Sequence, residues 1–98
     1  MKSVAILGVL GGLGNTVATE LLKRGIRVLG IDGLDPGSAA PVAFAWTLKR
    51  LKENPLFHFL PADLRTLAAS DFILEDKPVD TVLNCVSVHP FQIGRAHV

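Results

Sequence analysis

Two apolar runs, Val4 to Leu7 and Val28 to Ile31, show no polar alternation, the pattern of strands buried on both faces of a parallel sheet. Between them Val17, Ala18, Leu21 and Leu22 recur at helical spacing. Gly25 follows Lys23 and Arg24 as a helix stop, so residues 3 to 32 read as strand, helix, strand. Gly33 to Pro41 holds two glycines, two prolines and Asp35, the composition of a loop. A second helix is expected from Val42 to Lys52, with Phe44, Leu48 and Leu51 inward and Lys49, Arg50 and Lys52 solvated. Trp46 falls on that helix and is assigned to packing, in the core or on the surface, rather than to ligand stacking.

Leu56 to Leu60 reads as a third strand and Leu64 to Leu74 as a third helix burying Leu67, Ala68 and Phe72. Val79 to Val88 reads as a fourth strand, whose centre, Val82 to Val86, again lacks alternation. The order βαβαβαβ predicts an α/β fold: a right-handed, Rossmann-like, doubly wound parallel sheet with strand order 3-2-1-4, truncated after the fourth strand. No internal repeat or low-complexity segment interrupts it.

Composition narrows the possibilities without naming a chemistry. Of 98 residues, 49% are hydrophobic and 19% charged, enough apolar material for one core and too little charge for a disordered chain. Ten Lys and Arg against nine Asp and Glu leave a net charge of +1 with no run of one sign, so no nucleic-acid or membrane partner is expected. Met1 to Val4 passes straight into a strand, and no apolar stretch has the length of a signal core or membrane span, which makes a cytoplasmic location the expectation. Cys85 is the sole cysteine, which excludes an internal disulfide and a cysteine metal cluster; a small buried strand residue is its expected role.

The chemistry lies in the turn after the first strand. Gly8, Gly11 and Gly14 stand at the spacing of a dinucleotide turn: the first permits a tight bend, the second a close approach to a pyrophosphate, the third close packing of the helix on its strand. A diphosphate can then rest on the unpaired N–H groups of a helix beginning near Gly12 and Leu13. Asp32 lies 18 residues beyond Gly14, at the end of the next apolar run, where a carboxylate can accept hydrogen bonds from a ribose diol. It would repel a 2′-phosphate, and no Lys or Arg follows it before Lys49. NAD is therefore expected over NADP.

Four separated pieces, Gly8 to Gly14, Ile31-Asp32, Ala62-Asp63-Leu64 and Asp80 to Ser87, together resemble the short-chain dehydrogenase/reductase superfamily. Gly8, Gly11 and Gly14 match its extended branch, and Gly8, Gly12 and Gly14 match the other main branch, so the glycines leave the branch open. The 17 residues from Asp63 to Asp80 favour the extended branch, which usually has the shorter interval. The chain looks most like the NAD-dependent nucleotide-sugar epimerases and dehydratases, over roughly residues 3 to 90. The resemblance implies that Asp63 hydrogen-bonds the adenine amino group, that the Leu64 backbone meets the ring edge, and that Val86 and Ser87 lie beside the cofactor. Asp63 also reads as an N-cap for the helix expected after it. Leu10, Gly12, Val86 and Ser87 depart from the family's usual residues, the leucine and valine by being bulkier.

The resemblance further implies a nucleotide-sugar substrate and a homodimer for the full-length parent. It also implies a catalytic tyrosine and lysine four residues apart, with the lysine lowering the tyrosine pKa. The chain has no tyrosine, so no catalytic residue is assigned within it. His58, His89 and His97 have no metal-ligand spacing, and His58 reads as a strand-surface histidine. Ser87 lies in no nucleophile elbow and is assigned to packing. Ile93 to Val98 matches the translation of a sequencing adapter, ATC GGA AGA GCA CAC GTC. Residues 1–91 are accordingly read as the N-terminal part of an NAD-binding domain, and 92–98 as a non-native tail. An open apolar edge on the fourth strand is expected to follow. Three functions remain in view: the inactive cofactor half of an oxidoreductase, a non-catalytic dinucleotide-sensing regulatory module, and an assembly fragment without a role.

Overall fold

Side chains of β1 (Ser3–Leu7) alternate between two apolar layers, Val4 and Ile6 entering one and Ala5 and Leu7 the other. β1 therefore needs a cover on both faces, and the computed structural model, which describes residues 2–33 and 42–86, shows how each is supplied. The chain continues through α1 (Gly12–Lys23), β2 (Arg27–Asp32), α2 (Val42–Lys52) and β3 (Phe57–Pro61). Two short strands follow, β4 (Ile73–Leu74) and β5 (Lys77–Pro78), and then β6 (Thr81–Asn84). The main sheet is parallel in the order β3-β2-β1-β6, with Val4 opposite both Val28 and Thr81. This is the expected order 3-2-1-4 with the fourth long strand being β6.

Two of the three expected helices form where their apolar periodicity places them. Ala18 and Leu22 of α1 pack with Leu48 and Leu51 of α2 against Val4, Ile6, Val28 and Phe57. Full burial of side chains such as Ile6 and Leu51 contributes about 1.5–3 kcal/mol each. The end of α1 follows from Gly25, which takes φ +76°. Gly25 N–H then donates to the Leu22 carbonyl and Ile26 N–H to that of Leu21, closing the last turn. Arg50 of α2 donates to Thr19 Oγ1 at 3.0 Å and to Asn15 Oδ1 at 3.1 Å, tying the two helices together.

The third helix expected over Leu64 to Leu74 does not form. Residues 62–79 instead cross the second face as turns, a single 3-10 turn (Ala69–Asp71) and the β4–β5 hairpin. Local hydrogen bonds compete with a helix here: Asp63 Oδ1 accepts from Arg65 N–H at 2.9 Å, and Asp71 Oδ2 from Ala68 N–H at 2.8 Å. Asp63 is therefore the acceptor of an Asx turn and not a helix N-cap. Leu74 is buried there with Leu64, Leu67, Phe72 and Val79 partly buried beside it, whereas Ala68 is exposed. The apolar residues thus do their covering without helical geometry. The hairpin turns at Glu75 and Asp76, both with positive φ (53° and 66°).

Crossing that face carries the chain from β3, at one edge, to β6 on the far side of β1. β6 is shorter than the expected strand Val79 to Val88. Leu83 and Cys85 join the helix-covered layer, while Val82 and Val86 are 48% and 42% exposed on the opposite side. Among the described residues β6 is a sheet edge carrying exposed apolar side chains. Ser87, His89, His97 and the tail 92–98 lie outside the described residues. So does most of the loop expected from Gly33 to Pro41. No helix among the described residues is long and apolar enough to cross a membrane.

Candidate functional site

The chain leaves β1 towards α1 and on to β2, whereas β6 arrives on the other side of β1, so a crevice opens where the strand order reverses. Gly8 stands at this point. Its φ is +78°, its N–H donates to the Ile31 carbonyl at 2.8 Å, and a Cβ there would lie 3.1 Å from the Val86 backbone. The turn is thereby pinned to β2 on one side and pressed on the β6 extension on the other. A side chain at Gly8 would be strained in conformation and crowded in space.

Gly14 faces the inside of the same turn. A Cβ there would come within 2.2 Å of Gly8 O and 2.8 Å of Val9 Cα, both backbone atoms that cannot swing aside. This is the close helix-to-strand packing that the sequence assigned to it. Gly12 differs, since a Cβ at that position meets nothing within 4 Å and points into open space. Gly11 is the N-cap residue of α1, with extended backbone and no side-chain cap. The first N–H groups of a helix have no intrahelical acceptor, and here no acidic residue occupies the first turn. The start of α1 thus presents donors and a positive dipole end without a competing carboxylate.

Asn15 stabilises the turn from behind, its Nδ2 donating to the Gly11 and Gly12 carbonyls at 2.8 and 3.2 Å while its Oδ1 accepts from Arg50. These two residues were not singled out from the sequence. A contact between residues 35 apart on two helices leaves no signal along the chain that could have found them. Leu10, noted as bulky for such a turn, is only 2% exposed and sits in the core, so its side chain does not fill the crevice. Leu13 goes the other way and is 60% exposed at the start of α1.

Asp32 ends β2 beside the glycine turn and is 7% exposed. Its Oδ2 accepts from Leu10 N–H at 3.0 Å, so one carboxylate oxygen is fixed to the turn. The structure therefore brings Gly8, Gly11, Gly12, Leu13, Gly14, Asp32 and Val86 to one end of the sheet. Asp63 and Leu64 lie farther along the same end, after β3, where Ala62 N–H donates to the Asp32 carbonyl at 3.1 Å. Leu64 packs under the sheet. Asp63 is held down at about 2 by the side-chain and backbone hydrogen bonds of Arg65, more than offsetting the small effect of burial.

Two other sequence readings can be placed. His58 of β3 is half-exposed, with Nε2 3.8 Å from Glu75 Oε1, too long for a hydrogen bond. Trp46 is 65% exposed with Lys49 Nζ 5.4 Å from its ring centre, a surface cation–π contact. Among the described residues no group of three or more His, Cys, Asp or Glu is placed to hold a metal ion.

The uncapped helix start, the glycine whose Cβ vector is open, and the carboxylate one strand away together fit a dinucleotide such as NAD. Comparisons with known proteins point the same way. The model of the NAD dependent epimerase/dehydratase family matches residues 4–96. A UDP-glucuronate 4-epimerase of Thermodesulfobacterium geofontis (strain OPF15) is 32% identical over 79 residues, covering 81% of this chain and 24% of that protein. The short chain dehydrogenase andC of Emericella variicolor is 46% identical over 63 residues, covering 64% of this chain and 21% of that protein. The chain thus spans about a quarter of the length of the curated relatives it matches.

Among solved structures, UDP-glucuronic acid 4-epimerase from Bacillus cereus in complex with NAD superposes with a TM-score of 0.70 at 22% identity, over 96% of this chain and 29% of that one. The same enzyme in complex with UDP-glucuronic acid and NAD gives 0.66 at 25% identity, over 85% and 26%. A four-strand parallel sheet with this crossover, a glycine turn at its switch point and a family match across nearly the whole chain lead to one conclusion: the chain belongs to the NAD-dependent epimerase/dehydratase family.

Proposed function

We propose that this chain forms the NAD-binding part of a nucleotide-sugar epimerase or dehydratase. The observation that carries the reading is the pairing, across one glycine turn, of the uncapped start of α1 with the Asp32 carboxylate held to Leu10 N–H. The first supplies donors for a pyrophosphate and the second an acceptor for ribose hydroxyls. Gly8, Gly11, Gly12, Leu13 and Gly14 would line the phosphate turn, with Val86 and Ser87 along the cofactor and Asp63 and Leu64 at its purine end. When bound, NAD supplies the hydride acceptor.

UDP-glucuronate is the substrate class that the relatives' names suggest, and a nucleotide sugar is proposed on that ground. Hydride transfer at a sugar carbon in such enzymes is accompanied by a proton transfer that relies on a tyrosine, with a lysine four residues away. With no tyrosine among its 98 residues, this chain is expected to bind cofactor without catalysing epimerisation. Residues 1–91 are proposed as the N-terminal part of that NAD-binding domain.

Titration calorimetry with NAD and NADP tests the reading. NAD should bind at least about tenfold tighter than NADP, a difference of about 1.4 kcal/mol, because a 2′-phosphate would face the Asp32 carboxylate. Failure to bind NAD, or a preference for NADP that survives Asp32→Ala, would overturn it.

A further inference from the structure

A second opening, a cleft of about 560 Å³, lies past the end of β3 and is lined by Gly33, Pro61, Ala62, Asp63 and Arg65. Gly33 directly follows Asp32, so the cleft continues from the ribose end of the site described above. Its one carboxylate, Asp63, is gripped by a single neighbour. Arg65 Nε donates to Oδ1 at 3.0 Å and Nη2 to Oδ2 at 2.9 Å, and the Arg65 backbone N–H adds a third bond to Oδ1 at 2.9 Å. Thr66 N–H closes the turn on the Asp63 carbonyl at 3.0 Å.

An exposed ion pair between residues two apart does little for stability, and the Arg65 side chain is 88% exposed. What this geometry does accomplish is orientation. A forked, bidentate contact fixes the plane of a carboxylate, which a single bond does not. Asp63 itself remains 44% exposed, and although Oδ1 already accepts two bonds from Arg65, Oδ2 accepts only the Nη2 bond and keeps a lone pair for a further donor. A carboxylate so held accepts hydrogen bonds and donates none, so it distinguishes an amino group from a carbonyl at the edge of a heterocycle. The same contacts keep it ionised far below neutral pH.

Resting on the reading of this site as one for NAD, we infer that Arg65 is a positioning residue for purine selection: it sets the Asp63 carboxylate to accept from the exocyclic amino group of adenine and to reject a 6-oxo purine. Arg65 acts through Asp63, and the pair forms one wall of the cleft.

The test is calorimetric titration of the 98-residue chain and its Arg65→Met, Arg65→Lys and Asp63→Asn variants with NAD and with nicotinamide hypoxanthine dinucleotide, which carries a carbonyl where adenine has its amino group. The unsubstituted chain should prefer NAD by roughly tenfold or more, since a site built for an N–H donor leaves its acceptor facing a carbonyl when the donor is replaced. Arg65→Met should still bind both ligands but cut that preference to roughly threefold or less. Arg65→Lys, which keeps the charge and loses the fork, should fall between them. Asp63→Asn, whose amide can donate, should lose the preference altogether.

A ratio in Arg65→Met equal to that of the unsubstituted chain overturns the inference while leaving the NAD site intact. Equal binding of the two dinucleotides by the unsubstituted chain overturns it as well. If neither dinucleotide binds the unsubstituted chain, the underlying function reading fails and the inference falls with it. Circular dichroism melting of each variant separates misfolding from altered recognition, and Arg65→Lys preserves the comparison should Arg65→Met not fold.

Discussion

Gly14→Ala should lower stability although it replaces glycine with the best helix former. In an exposed helix interior this exchange gains about 1 kcal/mol. Here the added methyl would stand 2.2 Å from Gly8 O, 2.8 Å from Val9 Cα and 2.9 Å from Gly8 C. Carbon reaches its optimal separation near 3.5–4.0 Å, so α1 must retreat by about 1 Å or the turn must deform. Inserting a methyl into a packed contact costs typically about 1–3 kcal/mol, more than the helix gain returns in all but the mildest case.

Two consequences follow from the same displacement. Separation of α1 from β1 loosens Ala18 and Leu22 in the core, and it moves the helix start that is proposed to hold the pyrophosphate. Thermal unfolding followed by circular dichroism reads the first, where each 1 kcal/mol of destabilisation in a domain of this size lowers Tm by about 4–8 °C. Gly12→Ala is the matched control, because its methyl meets nothing within 4 Å. It should leave Tm unchanged or slightly raised while weakening NAD binding by occupying the open approach. The reasoning is refuted if Gly14→Ala melts at or above the temperature of the unsubstituted chain, or if Gly12→Ala is the more destabilised of the two.

The hairpin offers a test of opposite sign: Asp76 adopts φ +66° without being glycine, so Asp76→Gly should raise stability by about 0.5–1 kcal/mol in urea denaturation, and a decrease would show that its side chain matters more than its backbone. Asp80 accepts from Lys2 N–H at 2.8 Å and Ser3 N–H at 3.2 Å, clasping the start of β1 to the approach to β6, and the Lys2 bond foremost depresses its pKa. Because the folded pKa lies below the unfolded one, the clasp is complete above about pH 4, the ordinary carboxylate range, and is lost as pH falls through the lower folded value. Asp80→Asn should therefore flatten the acid limb of a stability-against-pH curve below about pH 4; an unchanged limb would remove Asp80 from the account.

Wherever a residue's role is set by its immediate neighbours along the chain, the sequence was sufficient. Unbroken apolar runs marked β1 and β2 as interior strands, the spacing of Ala18 and Leu22 marked α1, and Gly25 ended it through a backbone conformation that glycine adopts freely. The strand order followed from the handedness of parallel crossovers, a rule that needs only the sequence of elements. Gly14 and Asp32 were legible for the same reason, since a turn from strand to helix at that spacing leaves few places for them to go.

The segment between β3 and β6 was not legible, because Leu64, Leu67 and Phe72 have to reach the sheet and several backbones can deliver them. Asx and 3-10 turns prevailed over a helix once Asp63 and Asp71 bonded nearby N–H groups, an outcome that local propensity leaves nearly balanced. Contacts between elements were beyond the sequence altogether. Nothing along the chain says that Arg50 reaches Asn15 behind the glycine turn, that Leu10 turns inward, or that Asp32 fixes Leu10 N–H. The sequence alone thus determined that a glycine turn would meet a carboxylate at one end of a parallel sheet. Only packing decided how that carboxylate is held and what covers the second face, because those outcomes depend on distances between residues far apart in the chain.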